Sequence, residues 1–351
     1  MKLAALLLLV PALAYGDGID EFAPAPEPRL VLELELFTDA DWIHQPGTDF
    51  TQFRLDRGEV GAAVGFGKRF GAELRLESIR SADEGGELGI AGDSIVVRVK
   101  RAQLYGDLDA GDVHFHLAGG ITPDPWITAL ESDYSLLPLS LTASERLLGW
   151  PVSDLAAVAT VAYGPVRLDL SFGNGEGLDY PERNNGKTTT AVLEVVPFDL
   201  GGSRLRVMAL GKDGSVGPAL VRDRRIGAAA TFTSPYASAG AELVRAYGIG
   251  DDGDVTGYVY AGWLEGRPID HFAVAARASG IIYDAGGSYT SIGGAIAVEP
   301  WRDGGRGNLR IWLAIDRTHA SGAAEPLPGA EPGDATTLLL IGSVTAPFVI
   351  H

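Results

Sequence analysis

The side chains best placed to do chemistry here are ionisable residues spaced two apart, a spacing that puts them on one face of an extended strand. His114 and His116 are such a pair. Two imidazoles on one strand face could begin a metal site, but zinc needs three or four ligands and the spacing supplies no third. They read as plain inward-facing residues, and no metal site is expected. The chain has no cysteine, which removes thiolate metal sites, disulfides and cysteine nucleophiles together. A lipid hydrolase would need a nucleophile elbow, and no G-x-S-x-G occurs. Gly173-Asn174-Gly175-Glu176-Gly177 echoes a phosphate loop without the lysine and helix that must follow, so it reads as a turn. The chain is therefore not expected to be an enzyme or to hold a cofactor.

The elements that carry the remaining charges have a period of two. Leu30, Leu32, Leu34 and Leu36 alternate with Val31, Glu33, Glu35 and Phe37, and Ala72, Leu74 and Leu76 with Glu73, Arg75 and Glu77. Such alternation marks a strand with one apolar and one polar face. It recurs nearly to the end, with Leu309, Ile311, Leu313 and Ile315 beside Arg310, Trp312, Ala314 and Asp316. Counting less regular stretches near 155–163, 188–198, 236–246, 255–264 and 288–299, about sixteen strands are predicted, an even number that suits a closed barrel. In the second strand Gly58 is expected to permit a bulge.

Connections supply a second signal. Tight ones are predicted near 67–69, 106–111, 163–165, 199–203, 233–235, 265–269 and 300–306. Longer ones are expected at 39–49, 81–93, 120–154, 174–186, 211–223, 248–254 and 318–334, with a short exception at 284–287. Tight turns on one rim and long loops on the other characterise transmembrane antiparallel barrels. A soluble sandwich also alternates, but it would not place charges on so many second faces. A barrel in lipid turns its apolar rows outward and hydrates the charged rows inside, and closure removes strand edges. Trp42, Tyr105, Tyr163, Tyr180, Tyr247, Tyr283 and Trp301 fall near strand ends, where aromatic girdles are expected.

The ends and the charge agree with export. Met1-Lys2, an apolar run and Ala12-Leu13-Ala14 form a signal peptide over residues 1–14. Residues 15–29, containing Glu21-Phe22-Ala23-Pro24-Ala25-Pro26-Glu27-Pro28-Arg29, form a Pro-rich tether. Residues 30–351 are read as a single barrel domain. The net charge of −18 disfavours nucleic acid as a partner; the expected partners are outer-membrane lipid and small hydrophilic solutes or ions. Acidic loop segments at Asp83-Glu84, Asp251-Asp252 and 325–334 predict a mild preference for cations.

If the apolar rows face lipid, the opposite rows line a lumen. The predicted lining includes Arg54, Arg75, Arg98, Lys100, Arg167, Arg204, Arg206, Arg225, Arg277 and Arg310. Its acids are Glu33, Glu35, Asp56, Glu73, Glu77, Asp169, Glu194 and Asp316. Mixed charges keep a pore wet and create a transverse field. The longest connection, 120–154, carries Trp126, Ile127, Leu130, Leu147 and Trp150 and is too apolar to stand free in water. It is expected to fold inward as a constriction, with Asp124, Glu131, Asp133 and Glu145 facing arginines; an external cap or a subunit contact is the other reading.

The chain resembles bacterial outer-membrane porins and, more loosely, the phosphate-selective porin O/P-like group. The likeness rests on the signal peptide, the strand count, the long third loop and Phe172-Gly173-Asn174-Gly175-Glu176-Gly177. It implies a diffusion channel in a Gram-negative outer membrane, trimeric, with the third loop folded inward. Two features depart from it. The chain ends Phe348-Val349-Ile350-His351 rather than on an aromatic, and the predicted lining contains one lysine, Lys100, instead of a lysine ladder. The alternative function is a plugged barrel that serves as scaffold, adhesin or docking protein.

Overall fold

The computed structural model describes residues 30–45, 47–66, 69–81, 94–177, 185–217, 220–249, 252–303, 307–321 and 334–350. The predicted signal peptide and tether lie outside them. The strands are β1 (Leu30–Gln45), β2 (Thr48–Phe66), β3 (Phe70–Ser81), β4 (Ser94–Ala110) and β5 (Val113–Pro123). Two helices follow, α1 (Pro125–Asp133) and α2 (Ala143–Leu148). Next come β6 (Ser153–Tyr163), β7 (Val166–Gly173), β8 (Thr188–Leu200), β9 (Ser203–Val216), β10 (Val221–Thr233) and β11 (Ala237–Ile249). The chain finishes with β12 (Asp252–Ile269), β13 (Phe272–Tyr283), β14 (Ser288–Asp303), β15 (Gly307–Ser321) and β16 (Ala335–Ile350).

Every strand pairs antiparallel with its sequence neighbours, and β1 closes on β16 from Leu30↔Ile350 to His44↔Thr336. The sixteen-stranded closed barrel is as the alternation predicts. Closure satisfies the edge N–H and C=O groups that lipid could not. The outward row is apolar on strand after strand: Leu74, Leu104, Leu193, Leu243, Ile292 and Leu340 are all exposed. A continuous apolar belt of this kind exceeds the scattered apolar residues of a soluble surface.

The tight turns form one rim. Gly201 and Gly202 connect β8 to β9 with φ of 64° and 77°, the two positive values a two-residue hairpin turn of this hand requires. The other rim differs from expectation. Residues 39–49 are mostly strand, because β1 and β2 continue pairing to Gln45↔Thr48. Likewise β9 and β10 run on to Val216↔Val221, and β11 and β12 to Ile249↔Asp252. Polar and glycine residues read as loop there are strand ends that rise above the apolar belt.

Two bulges decide which side chains turn inward. Phe37 pairs with Arg57 but Thr38 with Leu55, so β2 carries the expected bulge, with Asp56, two residues before Gly58, as the extra residue. Because strand facing has period two, one extra residue flips the row, and Arg57 and Glu59 face in. The second bulge lies where Arg75 pairs with Arg101 and Leu76 with Val99. It turns both Lys100 and Arg101 inward, and both are buried.

Candidate functional site in the barrel interior

The inward wall divides into two halves of different chemistry. On β1–β4 it is an ion-pair lattice. Arg75 reaches Glu59 at 3.2 Å, Glu73 at 3.6 Å and also Glu33. Lys100 lies 2.5 Å from Glu59 and 3.7 Å from Glu77. Arg57 meets Glu77 at 3.2 Å, Arg98 meets the same carboxylate at 2.7 Å, and Arg101 meets Glu73 at 3.4 Å. Glu59, Glu73 and Glu77 each have two or more cations around them, the arrangement that makes a buried charge tolerable.

From β8 to β16 much of the inward row is apolar, which the expectation of charged rows all round does not allow for. Val192, Val244, Val259, Ala273, Ile281 and Ile341 are fully buried there. What covers them is the 120–154 segment. Trp126, Ile127, Leu130, Leu136 and Leu147 are buried in one cluster with that wall, and the Tyr134 and Trp263 rings meet edge to face at 5.0 Å. The segment thus packs against the inner face of the barrel rather than forming an external cap.

The sequence folds the segment this way through its caps. Asp124 accepts from the Trp126 and Ile127 N–H groups at 2.9 and 3.2 Å, and Pro125 opens α1. Thr142 and Glu145 form a reciprocal capping box on α2, and Gly149 ends it at φ 58°. The Thr142-Ala143-Ser144-Glu145 spacing is a helix-start signature, and it is the signal by which α2 could have been found. The left-handed C-cap needs a residue without Cβ strain.

Polar tethers then fasten the segment to the wall. Arg206 donates to Asp133 at 3.0 Å and to the Ala129 carbonyl at 2.6 Å, while the Ser238 hydroxyl donates to the Asp133 carbonyl at 3.0 Å. Glu242 accepts from the Ala143 N–H (3.0 Å), the Ser144 N–H (3.3 Å) and the Ser144 hydroxyl (2.8 Å). Arg146 donates to Ser279 at 2.5 Å, and Glu131 lies 3.7 Å from Arg57. Burial and the adjacent Glu131 carboxylate push Glu145 up to about 8.

Of the four predicted loop acids, Asp133 and Glu131 meet arginines, whereas Asp124 and Glu145 serve as helix caps. Trp150 also donates to Asp124 at 3.1 Å.

The other predicted lining residues fall as follows. Glu33, Glu35, Glu73, Glu77, Arg75, Arg98 and Lys100 belong to the lattice wall. Arg167 pairs with Asp169 at 2.8 Å, Arg204 and Arg206 with Glu194 at 3.3 and 3.2 Å, and Arg277 with Asp316. Arg310 contacts Glu299 at 2.6 Å. Arg225 holds the bulge in β11, donating to the Tyr247 and Gly248 carbonyls at 2.7 and 3.2 Å. The side chains of Arg54 and Asp56 lie outside the described residues.

Sequence reading missed Arg57, Glu59 and Arg101 because of the bulges. It also passed over Glu242 and Glu299, charges in apolar stretches, and Glu265 and Arg267, which fall in the 265–269 stretch predicted as a tight turn but belong to β12, which continues to Ile269. His114 and His116 point their Nδ1 atoms at Asp109 (2.7 Å) and Asp107 (2.8 Å); among the described residues no group of three acids or histidines could hold a metal. Of the predicted girdle aromatics, Trp42, Tyr163 and Tyr247 sit on the outward row, Tyr163 well exposed. Tyr105 instead turns inward to stack on His116 with ring centroids 5.7 Å apart, and Tyr283 packs on the interior cluster. Tyr180 and the Trp301 side chain lie outside the described residues. The 172–177 segment ends β7 in a turn, where Glu176 accepts from the Gly217 N–H at 3.0 Å.

No family model and no curated protein match the sequence. Among solved structures, the chain is similar to an anion-selective porin from Comamonas acidovorans, with TM-score 0.62 and 12% identity over 92% of this chain and all of that one. The fold is that of an outer-membrane porin barrel. It is also similar to a trimer form of OmpT from Vibrio cholerae (TM-score 0.61, 11% identity, 91% of this chain and 99% of that one). The outer membrane channel DcaP of Acinetobacter baumannii matches with TM-score 0.55 and 10% identity, over 91% and 97% of the two chains.

Proposed function

We propose that this protein is a porin-like channel of a Gram-negative outer membrane that passes small hydrophilic solutes or ions by diffusion through the barrel interior. In this reading the tight turns face the periplasm, the long loops face outward, and the 120–154 segment narrows the lumen. The observation that carries it is the tethering of α1 and α2 to the inner wall through Asp133 and Glu242; in this reading the ion-paired residues of β1–β4 supply the polar side of the passage. Charged walls at close quarters hold water and shape the field a solute crosses. Trimeric assembly is part of the proposal, as for the trimer form of OmpT.

The second reading, a plugged barrel acting as scaffold, adhesin or docking protein, draws on the burial of Glu59, Glu77 and Arg75. Planar bilayers separate the two. Purified folded protein should produce stable conductance steps, and liposomes containing it should swell in small sugars. Silence in both assays selects the plugged barrel.

A further inference from the structure

The net charge and the acidic loops predict cation preference, yet the inward ion pairs are not symmetric toward solvent. In five of them the guanidinium is the more exposed partner, whereas in pairs such as Arg75–Glu33, Arg206–Asp133 and Arg277–Asp316 the carboxylate is, by a small margin. Arg98 is 21% exposed and its Glu77 1%; Arg167 is 27% and Asp169 7%; Arg204 is 33% and Glu194 7%. Arg267 is 17% exposed against 1% for Glu265, and Arg310 is 11% against 0% for Glu299. Among the described residues, no inward carboxylate paired with Arg or Lys exceeds the 13% of Asp316.

The cause is side-chain length. In these five pairs arginine reaches past a shorter carboxylate rooted in the same wall, so the acid is enclosed and the cation faces the water. A carboxylate held behind its partners presents no free lone pairs to a passing cation. A guanidinium bound on one side keeps other N–H donors open, and these suit carboxylate or phosphate oxygens.

Position strengthens the effect. Arg167 and Arg204 stand just after the turns that begin β7 and β9, Arg267 just before the turn that ends β12, and Arg310 near the start of β15. All four ring the tight-turn end of the lumen. Exposed acids share that rim: Asp109 on the inward row of β4, Asp199 across from Arg204 in the β8–β9 register, and Asp112 and Asp270 in the turns; standing further into water than the arginines, they are screened over about 8 Å at physiological salt. The arginines lie within low-dielectric walls that focus their field.

We propose, on the basis of the channel reading above, that the lumen prefers small anions, carboxylate- or phosphate-bearing, over cations, and that Arg167 and Arg204 are specificity-determining residues. The test is the reversal potential of the full-length protein in planar bilayers under a KCl gradient. Chloride should permeate several-fold better than potassium. Arg167→Gln/Arg204→Gln should shift the reversal potential toward the cation side, while Arg167→Lys/Arg204→Lys, which keeps the charge, should hold it. Arg222→Gln, on the outward row beside Asp213, should leave it unchanged. A cation-side potential for the natural protein, or a glutamine variant that conducts with unchanged selectivity, overturns the inference while the channel reading stands. Absence of conductance from folded natural protein overturns both.

Discussion

Glu242→Ala should release the inner segment without unfolding the barrel. Glu242 projects from β11 and accepts three hydrogen bonds from the start of α2. The amides of Ala143 and Ser144 belong to a first helical turn, which has no acceptor within the helix. Truncation leaves them buried and unpaired at about 1–3 kcal/mol each. Relief from burying a carboxylate opposes this, but three donors already solvate it, so a net loss of about 2–4 kcal/mol is expected. That raises the undocked fraction about 30- to 1000-fold. The readout is trypsin cleavage after Arg146, whose guanidinium is held by Ser279 in the docked state, together with single-channel conductance. Cleavage and conductance should both rise, with Glu242→Gln intermediate because its amide oxygen still accepts. Natural resistance and natural conductance in the alanine variant would refute the latch.

Three further outcomes follow from the same geometry. Because Glu145 holds its proton up to about 8 when docked and would release it nearer 4.3 in water, the undocked state loses the proton first. Docking should be strongest below about pH 4.5, weaken as pH climbs to about 8 and then level off; trypsin susceptibility across that range should track it, and Glu145→Gln should flatten the curve. Leu313→Arg puts a charge midway along the exposed apolar row of β15 and should cost about 2–4 kcal/mol in lipid; refolding into liposomes at the natural denaturant midpoint would show that this face does not meet lipid. Gly120 has φ 125° within β5, opposite Gln103 of β4, and an added Cβ would stand 2.3 Å from the Ala102 carbonyl oxygen. Gly120→Ala should lower the yield of the heat-resistant barrel band on gels, and an undiminished band would mean that the wall yields there.

Alternation made most of the fold legible. Leu74 and Leu76 with Arg75 between them, or Ile311 and Leu313 around Trp312, assign facing without any tertiary information, because strand geometry alone puts neighbours on opposite faces. The lattice acids Glu33, Glu73 and Glu77 could be read the same way. Arg57, Glu59 and Arg101 could not, since a bulge inserts one residue and reverses the row beyond it, and nothing in the local composition marks Asp56 or Lys100 as the extra one. Loop lengths misled at 39–49 and 248–254 for another reason: strands that rise above lipid need no apolar row, so their sequence looks like loop.

By itself the sequence determined the closed antiparallel barrel, the outward apolar belt and the apolar character of 120–154, because each is a local pattern repeated along the chain. Only the tertiary structure decided where that segment lies, which wall it covers and which partner of each ion pair meets water. Those depend on contacts between residues as far apart as Ser144 and Glu242, and on the unequal reach of arginine and carboxylate side chains once both are rooted in the same wall.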